Sequence, residues 1–256
     1  MDQFLIVFLQ LVLLLFAYAT GWYLLSLIKK RNDIADIAWG LGYCLVCGFL
    51  LLSQPTSNVL VLLYCLVFAW GIRLSVHIFI RNRGKNEDFR YLNWRKEWGR
   101  SFYWRSYLQV FLLQAGLLLL VVCPIVWAAL NEPLEFSYFT MAGVLLWLIG
   151  FYFQSIGDYQ LMVFLKNRTN SNQILNTGLW KYSRHPNYFG EILMWWGIYI
   201  IIIPLPYAVF FALSPLLITL LIAFVSGVPM LEKRYEGNSA YEAYKKNTPV
   251  LFPKFW

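Results

Sequence analysis

Charge is scarce in this chain. Only 13% of its 256 residues are Asp, Glu, Lys or Arg, whereas soluble domains carry about a quarter. That excludes an ordinary soluble globular protein. Histidine is scarcer still. The 2 histidines, His77 and His185, are too few for a histidine-built metal centre, and no zinc-ligand spacing occurs. No metal is expected. The 4 cysteines all sit in apolar stretches. Cys44-x-x-Cys47 has redox spacing, but within a buried helix it reads as two small apolar fillers. No Gly-x-Gly-x-x-Gly follows a strand, which excludes a Rossmann dinucleotide site. Internal repeats, low-complexity segments and a clear domain boundary are missing too, so residues 1–256 read as a single integral membrane domain.

What is present is hydrophobic length. Apolar residues make up 60% of the chain, and about twenty in a row cross a bilayer core as a helix. Seven such spans are expected: 4–28, 34–52, 59–80, 107–130, 137–164, 189–203 and 206–229. The fold class is therefore all-α, a polytopic membrane helical bundle. Residues 1–28 show no small-residue cleavage site and read as a retained anchor. Pro204 and Pro206 break the short sixth span, and the fifth continues past its exit as a helix.

The basic residues set the expected orientation. Of 21 Lys and Arg, all but Arg73 fall on one side of the seven-span arrangement: in the first loop, in 81–106, in the 166–184 loop and in the tail. Asp2, Glu132 and Glu135 fall on the other. The positive-inside rule puts the N-terminus outside and the C-terminus in the cytosol. The net charge of +8 is thus a topology signal, and no nucleic acid is expected as a partner.

Some polar residues resist that background, because an ionisable group at a helix centre costs about 2.5–3.5 kcal/mol on insertion scales. Asp36 opens span two. Arg73 and His77 share one face of span three, as Gln154 and Asp158 do in span five. Residues 178–197 are the densest case: Tyr182, Arg184, His185, Asn187, Tyr188 and Glu191 crowd the mouth of a hydrophobic helix. Arg168 lies just before them. Together these groups suit a cytosol-facing pocket for a soluble, anionic, hydrogen-bonding ligand, which a lipid-like partner could meet from the bilayer.

Five segments carry a resemblance: Asp36-Ile-Ala-Trp39-Gly, Arg81 to Tyr91, Gly157-Asp-Tyr-Gln160, Gly178 to Glu191, and Ser226-Gly-Val-Pro-Met-Leu-Glu232. With these the chain resembles the steroid 5-alpha-reductase superfamily, and a bacterial branch of it. The resemblance implies a seven-helix membrane reductase using NADPH. Residues 1–106 would form the substrate side and 107–256 the cofactor-binding core. By position it assigns Asn82, Arg83, Asp158, Asn187 and Glu191 to the dinucleotide. Gln154 stands where relatives have asparagine, and Tyr244 fills an aromatic position of the tail. Asp36 lies near a catalytic glutamate of the steroid enzymes, but span three lacks their tyrosine. Asp36, Arg73 and His77 are the candidate catalytic groups. Arg184-His-Pro-x-Tyr188-x-Gly190 is also similar to membrane methyltransferases of the isoprenylcysteine and phosphatidylethanolamine type. That leaves an S-adenosylmethionine-dependent methyltransferase as the alternative expectation.

Overall fold

A computed structural model describes residues 3–131, 133–170 and 172–254. Asp2 and Glu132, used above for orientation, lie outside the described residues, as does the side chain of Arg234. About 80% of the chain is helical, with no strand among the described residues. Eleven α-helices are described: α1 (Gln3–Lys29), α2 (Ile34–Ser53), α3 (Asn58–Asn82), α4 (Phe89–Trp98), α5 (Phe102–Ser106), α6 (Leu113–Leu130), α7 (Tyr138–Asn167), α8 (Pro186–Ile202), α9 (Leu213–Leu220), α10 (Val228–Glu232) and α11 (Ser239–Asn247).

Among the described residues six helical stretches are long and apolar enough to cross a membrane: α1, α2, α3, Phe89–Leu130, α7 and Ala208–Glu232. Large apolar side chains such as Leu13, Leu145 and Phe210 are exposed on them. In water such a surface would aggregate; in lipid it is the expected exterior. The chain is an integral membrane protein.

Local chemistry explains where the helices begin. The Ser57 hydroxyl accepts the Leu60 N–H and starts α3. Ser137 and Thr140 form a reciprocal capping box on α7. The Asp88 carboxylate accepts the Arg90 N–H at 3.0 Å and starts α4. Residues 81–106 are expected as a loop, yet most of them are helical. Beyond the Asp88 cap, Tyr91, Trp94, Trp98 and Phe102 recur at helical spacing and give that helix an apolar face. Pro186 stands at the first position of α8, where a missing N–H costs nothing. The helix therefore starts three residues before the expected span and carries Asn187 and Tyr188 on its first turn.

Contacts divide the chain into two compact units, Met1–Glu135 and Phe136–Trp256. Helix α6 packs on α1 and α2 and so belongs to the first unit. In the first unit α2 and α3 touch backbone to backbone. A Cβ added to Gly40 would lie 2.5 Å from the Gly71 carbonyl oxygen, and one on Gly71 would lie 2.6 Å from that of Gly40. Small residues at such a crossing replace the hydrophobic drive that lipid removes. Ser75 Oγ donates to the Ile37 carbonyl across the same contact at 2.9 Å.

In the second unit α7 and α8 run against each other along a row of glycines. Gly143, Gly150 and Gly157 are seven residues apart on α7. Gly143 faces Gly197, Gly150 faces Gly190, and Gly157 faces Asn187. This approach sets what lies between the two helices.

Candidate functional site

Two polar rungs cross the α7–α8 seam. Gln154 Nε2 donates to Glu191 Oε2 at 2.9 Å. One turn further, Asn187 Nδ2 donates to Asp158 Oδ1 at 2.8 Å. The rungs use residues four apart on each helix, so they lie on one face of each. Gln154 and Asp158 are buried, at 2% and 7% exposure. Two carboxylates and two amides thus meet along the seam of closely packed glycines.

Below the rungs lies a charged ledge. Glu232, the last residue of α10, receives Arg184 and His185 together: Arg184 Nε is 3.2 Å and His185 Nε2 3.1 Å from Glu232 Oε1. Both basic side chains are buried. Tyr241 also reaches Glu232. The His185 ring stacks on Tyr188 at 5.5 Å. His185 Nδ1 and Asn187 Oδ1 are buried and meet no hydrogen-bond partner among the described residues. Buried polar atoms are nearly always paired, so these two are exceptions at the start of α8.

The tail clamps this ledge. Arg184 N–H donates to the Pro249 carbonyl at 2.9 Å and Lys254 N–H to that of Tyr182 at 3.0 Å. Ser183 Oγ donates to the Leu251 carbonyl at 2.8 Å. Tyr244 donates its hydroxyl to the Trp180 carbonyl, and Trp180 Nε1 to that of Gly157 at 3.1 Å. Tyr244 therefore holds the 178–185 segment in place. Arg168 caps the end of α7 and is half-buried. Tyr182 lies under the Lys181 ammonium, 5.7 Å from its ring centre.

Burial pushes both tail phenols up; Glu232 raises Tyr241 further and Arg184 opposes it, while at Tyr244 the Arg184 opposition outweighs the Glu232 push. The unfolded chain ionises its tyrosines near pH about 10, while the folded chain keeps these two neutral to higher pH. Their contribution is complete below that value and is lost as pH rises through the folded pKa. Thermal melts should therefore fall steeply above pH about 10. Replacing Tyr241 and Tyr244 together by Phe should flatten that slope; an unchanged slope would refute the assignment.

In the first unit the carboxylates are held by arginines. Asp36 accepts from Arg90 Nη2 at 2.5 Å on one oxygen and from the Tyr91 hydroxyl at 2.8 Å on the other. Arg31 grips Asp33 through two 2.7 Å bonds. Asn82 Nδ2 donates to the same Asp33 carboxylate at 3.3 Å. Glu87 takes Arg95 and the Asn32 N–H. Burial alone would raise the Asp88 carboxyl, but Arg90 beside it holds it below its ordinary value. Arg73 and His77 are half-buried one turn apart on α3, and Arg83 is exposed just past its end.

The structure thus joins Gln154, Asp158, Asn187 and Glu191 in one array, with Arg184, His185 and Tyr188 beside it. It places Asp36 and Asn82 in an ion-pair network that fastens α4 to α2 and α3. Sequence reasoning missed Arg90, Tyr91 and Asp33 in that network, and Glu232 and Tyr241 on the ledge. Glu232 ends the Ser226–Glu232 segment, and nothing in its sequence neighbourhood signals Arg184 or His185, 48 and 47 residues away. Asp33 stood one turn before Asp36.

A family model of proteins of unknown function, DUF1295, matches residues 22–248. The chain belongs to this family. The match takes in both units, and with them the two rungs and the ledge. No curated protein matches the chain, and no solved structure does.

Proposed function

We propose that the protein is an NADPH-dependent reductase of an activated carbon–carbon double bond in a lipid-soluble, steroid- or isoprenoid-like molecule. It would work in a bacterial inner membrane as a seven-span bundle, with α8 as the further span and the basic ends in the cytosol. The observation that carries the reading is the buried pair of rungs, Gln154–Glu191 and Asp158–Asn187. Ionisable groups inside membrane helices mark functional sites more often than structural ones.

The residues present fit a dinucleotide. Asp158 and Glu191 supply acceptors for ribose hydroxyls or a carboxamide. Asn187 Oδ1 and His185 Nδ1, buried without partners among the described residues, supply two more polar contacts. Arg184 and Arg168 supply cations for phosphates, with Tyr182, Tyr188 and Tyr244 shaping the wall. When bound, the cofactor supplies a hydride. The chain must then stabilise negative charge on the substrate oxygen. Arg73 and His77 carry N–H donors for that task. Asp36 accepts on both oxygens, so its proposed part is to orient rather than to donate. Arg83 and Asn82 are assigned to the dinucleotide by resemblance alone.

The test is a thermal shift of the detergent-purified protein. NADPH should raise the melting temperature and S-adenosylmethionine should not. A shift with S-adenosylmethionine alone would replace this reading with methyl transfer. Glu191→Gln and Asp158→Asn should each weaken NADPH binding about tenfold, or about 1.4 kcal/mol. Unchanged binding in both would remove the rungs from the site.

A further inference from the structure

The arginines around α4 sort by partner. Arg31 takes Asp33, Arg90 takes Asp36 and Asp88, and Arg95 takes Glu87. Arg105 takes no carboxylate among the described residues. Its guanidinium carbon lies 5.6 Å from the ring centre of Trp104 and 6.0 Å from that of Trp98. Its Nε is buried and donates to nothing among the described residues. A cation flanked by rings, with no carboxylate to neutralise it among the described residues, suits an anion with oxygen acceptors.

Position narrows the anion. Arg105 is the last charged residue before a stretch, Ser106 to Asn131, that contains none. The side chain therefore sits where an apolar span begins. Tyr103 and Trp104 beside it are 58% and 54% exposed, the placing of aromatic residues at headgroup level. Leu108, one turn along from Trp104, is 48% exposed and continues the apolar wall into the span. Arg100 and Lys96 are exposed on the preceding turns and add positive charge.

From these features we infer that Arg105, Trp98 and Trp104 form a seat for an anionic phospholipid. The phosphodiester lies on the guanidinium, and an acyl chain runs down Trp104 and Leu108. The seat is separate from the α7–α8 rungs and stands whether or not the protein is a reductase. A freely dissolved phosphate has no use for the exposed ring and leucine, whereas a lipid uses all three.

Native mass spectrometry of the purified protein tests this with phosphatidylglycerol, phosphatidylcholine and inorganic phosphate as separate probes. The parent protein should bind phosphatidylglycerol about tenfold more tightly than phosphatidylcholine. Arg105→Gln should abolish that preference. Lys246→Gln, which removes an exposed charge on α11, should change it by less than about twofold. Trp104→Leu alters an exposed side chain and tests the seat should Arg105→Gln fail to fold; it should weaken binding of both lipids. Full preference in Arg105→Gln would overturn the inference. So would displacement of the lipid by millimolar inorganic phosphate, or lipid binding unaltered in Trp104→Leu.

Discussion

Gly190→Ala should cost the second unit more stability than any other single methyl added to the α7–α8 seam. The new Cβ would lie 2.5 Å from the Gln154 backbone nitrogen and closer still to the Gly150 carbonyl oxygen. Both are backbone atoms of α7, so no side chain can swing aside. The helices must part, at about 1–3 kcal/mol or more for overpacking of this kind. Parting them also stretches the Gln154–Glu191 bond, because Gly190 is adjacent to Glu191 in sequence. The expected result is a marked fall in melting temperature and in yield of folded protein, together with weaker ligand-induced shifts. Gly116→Ala and Gly48→Ala, where the added Cβ meets nothing within 4 Å, should be neutral or slightly stabilising, since alanine is the better helix former. A Gly190→Ala protein that melts with the parent would mean that the backbones are not in contact.

The membrane class was legible in the sequence because hydropathy is additive along a chain. No partner needs to be known for twenty apolar residues to prefer lipid. The rungs were half legible. Gln154 with Asp158, and Asn187 with Glu191, each show the four-residue spacing of one helical face. That the two faces meet depends on the glycine row, and its significance emerges only when Gly143, Gly150 and Gly157 are set against Gly197, Gly190 and Asn187. Asp36 shows the opposite case. At the start of a hydrophobic span, its immediate neighbours in sequence are apolar and show no partner. Its actual neighbours, Arg90 and Tyr91, come from more than fifty residues away. They arrive on a helix hidden inside an apparent basic loop. Long-range pairing of this sort leaves no periodic trace. The same holds for Glu232, which meets Arg184 and His185 only because the chain returns through α10.

Glu232→Ala should be the most damaging charge change in the second unit. Arg184 is 8% exposed and His185 6% at the side chain, and Glu232 is the carboxylate that faces both. Its removal strands a buried guanidinium, and breaking a buried pair from one side costs about 3–5 kcal/mol. Glu232 is itself 17% exposed, so water can reach the vacated place and the lower end of that range is expected. Glu232→Gln keeps an acceptor but not the charge, and should fall between the parent and the alanine variant. The damage should spread in a specific direction. Arg184 is tied through its N–H to Pro249, and Tyr182 to Lys254, so loosening the ledge loosens the tail. Limited trypsin digestion should then cut faster at Lys245 and Lys246 in Glu232→Ala than in the parent. It should cut at the parental rate in a control such as Glu242→Ala, whose partner is the exposed Lys245. A Glu232→Ala protein with parental melting and parental digestion would mean that Arg184 and His185 are held by something other than this carboxylate. The clamp on the first turn of α8 would then have to be sought in the backbone bonds alone.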